Sequence, residues 1–165
     1  MDLIQSKRHA TCTSFGMKFT GFEVLDASIQ RSNAWLNELM QELNWTDRRQ
    51  TYGAFRCVLH ALRDHLSLKD AVYVGEQLPM LIRGFYFEHW DVSGKPPALR
   101  SRNDFSAYVC AHLSRADQQG SNAETVTRAV FRLLDRKATD GEIDDIQHVL
   151  PSALIDLWPP TLRAA

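Results

Sequence analysis

A chain of 165 residues with 44% hydrophobic and 24% charged side chains has the make-up of one globular domain, which excludes disordered, collagen-like and rod-like proteins. Nineteen Lys and Arg stand against 20 Asp and Glu, a net charge of −1, so the basic excess with which duplex-binding proteins neutralise phosphates is missing. A domain of this length buries roughly two-thirds of its unfolded surface and needs neither disulfide nor metal to fold.

Residues 1–21 carry no periodic apolar pattern and read as a flexible arm, with Met17 an alternative start. From Val24 the period turns helical, and Ile29, Leu36, Leu39, Met40 and Leu43 share one stripe. Asn44 and Trp45 break that run, and Thr46 is the expected N-cap of the next helix, whose inward face is Phe55, Val58, Leu59, Leu62 and Leu66. Ser67, followed three residues on by Asp70, opens a third helix that turns Ala71, Val74 and Leu78 inward. Pro79 begins a short fourth helix, where its missing N–H costs nothing.

Pro96 and Pro97 make helix implausible through the connector, 91–100. Ser101 and Asp104 then open a helix with Phe105, Val109 and Leu113 inward, and Gly120 to Asn122 breaks it. The next helix buries Val126, Val130, Phe131 and Leu134. Thr139 and Glu142 form a capping box ahead of Ile143, Ile146 and Leu150, and Pro151 opens a last short helix with Leu154 and Trp158 that Pro159 and Pro160 end.

The two halves keep step. An offset of 72 carries Pro79 to Pro151, Val58 to Val130, Leu59 to Phe131, Leu62 to Leu134, Ser67 to Thr139, Asp70 to Glu142, Val74 to Ile146, Leu78 to Leu150 and Tyr86 to Trp158. The expected fold is all-α, a compact bundle of about eight helices made of two copies of a helix-turn-helix-Pro unit. One domain spans 22–160, with copy one at 24–90 and copy two at 101–158, each too small to bury its stripes alone.

The run from Cys57 to Pro96 resembles the bacterial domain-of-unknown-function family numbered 2267. The resemblance rests on Gln77-Leu78-Pro79, Arg83-Gly84, Tyr86, Trp90 and Lys95-Pro96, and on a second Leu-Pro segment within Gly141 to Trp158. It extends over roughly 22–158 and implies an all-helical fold with some similarity to globin-like helix topologies. It implies no activity, cofactor or catalytic residue.

The chemistry-bearing residues form no recognised catalytic pattern. Cys12, Cys57 and Cys110 have no metal-type spacing, and Cys57 and Cys110 fall in apolar helical patterns as small buried hydrophobes. With no signal-type or membrane-length apolar run, the expectation is a cytoplasmic protein with no membrane association. Asp145 and His148 share a helix face, a pairing better suited to a surface hydrogen bond than to a metal. His60, His65 and His112 have the chemistry of axial haem ligands, but the filled core stripes mark no vacant pocket. His60 reads instead as a half-buried, hydrogen-bonded imidazole. No Gly-x-Ser-x-Gly, P-loop or dinucleotide fingerprint occurs. No cofactor is expected, and an enzyme would need a site assembled only in three dimensions.

The stretch from Arg83 to Trp90 holds four aromatics in six residues, too many angles for one core face. If Phe85 and Trp90 pack inward, Tyr86 or Phe87 must be partly exposed. One reading is a connector that caps the core, with Arg83 paired to a nearby acid. The other is a partner surface of Arg83, Tyr86, Phe87, Trp90, Lys95 and Pro96, since Tyr, Trp and Arg dominate binding hot spots. The lead expectation is therefore a protein-interaction or regulatory module that binds an unidentified protein or its own copy. The alternatives are a small-molecule or haem-binding domain with its ligand between the copies, and an enzyme. Charge balance argues against a nucleic-acid partner.

Overall fold

The first helix, α1 (Glu23–Leu43), begins without a side-chain cap on its own N-cap residue, Phe22. Thr20 supplies the restraint instead: its backbone N–H and its hydroxyl both donate to Asp26 Oδ1, at 2.7 and 2.8 Å. Glu23 and Asp26 put negative charge at the positive end of the helix dipole. Asn44 ends the helix in the left-handed region (φ 54°), with its N–H on Gln41 O and that of Trp45 on Met40 O. This computed structural model describes residues 20–93, 101–113, 122–137, 146–148 and 150–160. The arm up to residue 19, Lys95, Pro96, the Thr139–Glu142 capping box and Ile143 lie outside the described residues.

Helix α2 (Arg48–Asp64) is capped by Asp47, whose Oδ1 accepts from the N–H groups of Arg49 and Gln50. Thr46, the expected cap, is displaced by one position because a carboxylate answers the helix dipole better than a hydroxyl. Helix α3 (Leu68–Glu76) starts at Ser67 as expected, with Ser67 Oγ accepting from Asp70 N–H and donating to Asp70 Oδ2. Pro79 precedes α4 (Met80–Tyr86), and Ser101 caps α5 (Arg102–His112). Then come α6 (Ala123–Lys137), α7 over 146–148, and α8 (Ser152–Ile155), which Pro151 precedes. The fold is all-α, with eight helical segments and no strand among the described residues.

Helix α2 lies at the centre and packs against α1, α3, α4, α5 and α6. Its buried side holds Ala54, Phe55, Val58, Leu59 and Leu62, and α6 answers with Val126, Val130, Phe131 and Leu134. Phe105, Val109, Leu113, Ile146, Leu150, Leu154 and Trp158 are all buried as their spacing predicts. Cys110 is the exception: it is exposed, since on α5 it lies one residue, about 100° of helix, beyond Val109. Helix α1 also departs from expectation. Its inward face is Ser28, Ser32, Trp35 and Leu39, whereas Ile29, Leu36, Met40 and Leu43 are only half-buried. Ser32 satisfies its hydroxyl by donating to Ser28 O at 2.9 Å, whereas the buried Ser28 hydroxyl has no partner.

Charge joins α1 to α6. Glu42 accepts from Arg132 at 2.6 Å and Arg136 at 3.1 Å, and Lys137 reaches Glu38. Burial pushes the Glu42 carboxyl up, but the two guanidiniums outweigh it and hold its pKa below the ordinary value.

At the other end of the core, Arg63 is 4% exposed and joins three elements. Its Nη1 donates to Tyr86 O at 2.5 Å and Glu88 O at 3.1 Å, its Nε donates to Asp64 at 2.7 Å, and its guanidinium lies 5.6 Å from the centre of the Trp90 ring. Asp64 also accepts from Tyr108 of α5 at 2.9 Å. Replacing Arg63 by Met leaves two carbonyls and a carboxylate without their donor, and is expected to cost about 3 kcal/mol. Urea unfolding checks this, and a loss under about 1 kcal/mol, the worth of an ordinary exposed ion pair, contradicts it.

Candidate functional site

The residues from Arg83 to Trp90 do not form one exposed face. Arg83 turns back on α3, and its Nη2 donates to Glu76 O at 3.1 Å and Leu78 O at 3.2 Å. The expected acidic partner is replaced by the carbonyls at the end of α3, which a cation there satisfies equally well. Tyr86 is fully buried, and its hydroxyl donates to Ala71 O at 2.9 Å. Burial pushes its phenol pKa well above the ordinary value. As a core residue it cannot meet a partner directly.

Phe85 is half-buried, edge-on to Tyr52 and Phe55 at 5.4 and 5.8 Å. Phe87 packs edge-on to Tyr86 at 4.8 Å and stacks on Trp90 at 5.5 Å, and both Phe87 and Trp90 stay partly exposed. The chain leaves the helix at Phe87 and turns through His89 (φ 53°), so the aromatics are not confined to helical angles. A Cβ on Gly75 would overlap the Phe87 ring, which makes this glycine the seat of that side chain.

Besides a depression of about 300 Å³ at the end of α1, lined by Asn37, Met40, Gln41, Asn44 and Trp45, the described residues leave concave sites between helices, two of which bring several polar groups together. The first, about 310 Å³, lies between the start of α1 and the start of α4, and its lining includes Glu23, Val24, Ala27, Ser28, Arg31 and Met80. Its neighbourhood is apolar and open: Phe22 is 61% exposed, Val24 62%, Met80 46% and Leu81 42%. Ser28, although buried, has a hydroxyl with no hydrogen-bond partner.

The second is a cavity of about 420 Å³ between α2 and α5, where the filled core stripes had marked no space. Arg56, Cys57, His60 and Asp64 line it from α2, and Tyr108 and His112 from α5. His60 Nε2 lies 2.5 Å from Phe85 O; a carbonyl only accepts, so this nitrogen carries the proton and Nδ1 is the acceptor. His60 is thus the half-buried, hydrogen-bonded imidazole that its position implied. By the same argument His112 Nδ1 donates to Tyr108 O at 2.7 Å. The Tyr108 phenol, bonded to Asp64, is pushed up to about 12 by burial and by that carboxylate. Cys57 Sγ donates to Val109 O at 3.4 Å, and Arg56 pairs with Glu88 at 2.7 Å.

His65, by contrast, is spent on structure: its Nδ1 meets Ala61 O at 2.6 Å, and its ring packs edge-on to Phe105 and Tyr108. Among the described residues no group of three or more His, Cys, Asp or Glu is placed to hold a metal ion. The cavity therefore offers hydrogen bonding and one cation at its rim. The spacing of Gly53, Cys57, His60 and Asp64 along one side of α2 was the sequence signal for it, and its other wall, on α5, is non-local.

No described helix is long and apolar enough to cross a membrane. A family model described as an uncharacterized conserved protein (DUF2267) matches residues 32–157, well over half of the chain. No curated protein matches it.

Burial holds the His60 pKa below its ordinary 6.5, and the nearby Arg63 and Arg56 add to this against the hydrogen bond that His60 donates to Phe85 O and the charge of Asp64. The unfolded chain therefore binds the proton more readily than the folded one. The contribution of His60 to stability is complete above about pH 6.5 and is lost as the pH falls from there toward the folded pKa. His60→Gln is expected to flatten the stability–pH curve below about pH 6.5. Equal slopes for the two proteins in urea titrations would sink the assignment.

Proposed function

This chain belongs to the DUF2267 family, and we propose that it is a protein-binding module that meets a protein partner or its own copy on the α1–α4 face. The observation that carries this is where apolar surface is left open. Val24 and Met80, 62% and 46% exposed, line one groove between α1 and α4, and Phe22 and Leu81, 61% and 42% exposed, adjoin them in sequence. Clustered apolar exposure of this kind on a water-soluble surface marks a contact face. Arg83, Phe87 and Trp90 stand on or just after α4 but turn toward α3 and α2, while Tyr86 holds α4 in place from inside.

In this reading the module arose from two copies of one helical unit, and the first copy took on the binding role. Pro79 and Pro151, related by the offset of 72, both precede short helices with nearly the same backbone angles, φ −54° and ψ 148° against φ −53° and ψ 138°. Tyr86 and Trp158 follow at equivalent places, and both are buried. The thiols of Cys57 and Cys110, which form no disulfide, fit a cytoplasmic setting.

A second reading has its own observation. The α2–α5 cavity, about 420 Å³, falls in the size range of small-molecule sites and brings polar groups from both halves together. Native mass spectrometry separates the two: a bound small mass of constant stoichiometry supports the cavity, and a protein complex supports the α1–α4 face.

Met80→Glu combined with Leu81→Glu charges the face at two exposed positions, so helical content and Tm should stay near those of the wild type. Used as bait beside the wild type in the native host, the double variant is expected to lose its specific partners by at least about tenfold, the equivalent of ~1.4 kcal/mol. Equal recovery by both baits overturns the reading.

A further inference from the structure

Along α1, Glu23, Ala27 and Arg31 follow one another at four-residue spacing and line the same groove. Residues so spaced lie one above the next on a helix face. The stripe has an acid at one end, a base at the other and a small residue midway. Neither charged side chain has an ion-pair partner among the described residues, whereas Glu38 and Glu42 on the same helix are both paired with α6. A rise of about 1.5 Å per residue puts each charge about 6 Å from Ala27 along the axis.

We propose that α1 pairs antiparallel with α1 of a second copy, about a two-fold axis at Ala27. The proposal rests on the protein-binding reading and names its partner. That axis sets Glu23 opposite the partner's Arg31 and Arg31 opposite the partner's Glu23, so one surface is complementary to itself, as a closed symmetric dimer requires. The parallel arrangement sets like charge on like charge, so electrostatics selects the orientation. Ala27 at the crossing lets the helix axes approach to about 8 Å, the short end of helix packing.

The rest of the groove fits the same occupant. Val24 and Met80, 62% and 46% exposed, flank the stripe and lose their water when a second α1 closes over it. Ser28 keeps an unpartnered, buried hydroxyl beside Ala27, close to the proposed axis.

Charge exchange tests this on the full chain, by light scattering with size exclusion and by sedimentation. The wild type is expected to be dimeric at about 100 μM, a concentration that populates a micromolar dimer. Glu23→Arg alone and Arg31→Glu alone each set like charges together at both ends, and each weakens the dimer by about tenfold or more. The chain carrying both substitutions regains the dimer. Mixing the two single variants gives a one-to-one heterodimer, because every facing pair is then opposite in sign.

A monomeric wild type overturns the proposal, and so does a dimer indifferent to both single substitutions. A monomeric wild type whose co-purifying proteins are still lost on charging Met80 and Leu81 removes self-pairing and leaves the protein-binding reading standing. Failure of both experiments removes both.

Discussion

One buried guanidinium determines where most of this surface lies. Arg63, near the end of α2, takes the carbonyls of Tyr86 and Glu88, the carboxylate of Asp64 and the face of Trp90. A buried cation is tolerated only when its donors are matched, and here the match is made by the backbone just after α4. The end of α4 is therefore fixed to the central helix, with Tyr86 locked beneath it by a hydrogen bond into α3. His60 and Arg56 add two further ties, to Phe85 O and to Glu88. With α4 held this way its opposite side, Met80 and Leu81, is left pointing to water beside the start of α1.

The same arrangement builds both concave sites. Asp64, committed to Arg63 on one side, accepts from Tyr108 on the other, and so fixes the α5 wall of the second cavity. Because Arg63 and Asp64 neutralise one another, as do Arg56 and Glu88, the cavity carries little net charge. The α1–α4 groove is different in kind: its apolar walls are open to solvent, and its two charges, Glu23 and Arg31, lack ion-pair partners among the described residues. Unsatisfied complementarity at a surface favours association with a macromolecule over a small solute.

Much of the fold was legible from local rules. Ser67 and Ser101 cap the helices they should, Pro79 and Pro151 stand where short helices begin, and the spacing of Val58, Leu62, Val130 and Leu134 picks out the core. These signals depend on neighbours within one or two helical turns. The inward face of α1 escaped because Ser28 and Ser32 carry no apolar signal, while Ile29 imitates one. Tyr86 escaped because angular crowding assumes an unbroken helix, and the chain departs at Phe87. The α2–α5 cavity escaped because its walls, such as Cys57 and Tyr108, lie far apart in sequence. Apolar exposure, the feature that supports the proposed role, is a property of packing and so was out of reach of periodicity alone.

The central claim is that the α1–α4 face is the surface this protein uses. Hydrogen exchange, read peptide by peptide at low and high protein concentration and again with a co-purified partner, tests it directly. The account predicts slowed exchange confined to 20–31 and 79–86 on association, with 102–112 of α5 unchanged. Slowing at α5 while the α1–α4 peptides stay the same, or no change anywhere on association, would contradict it.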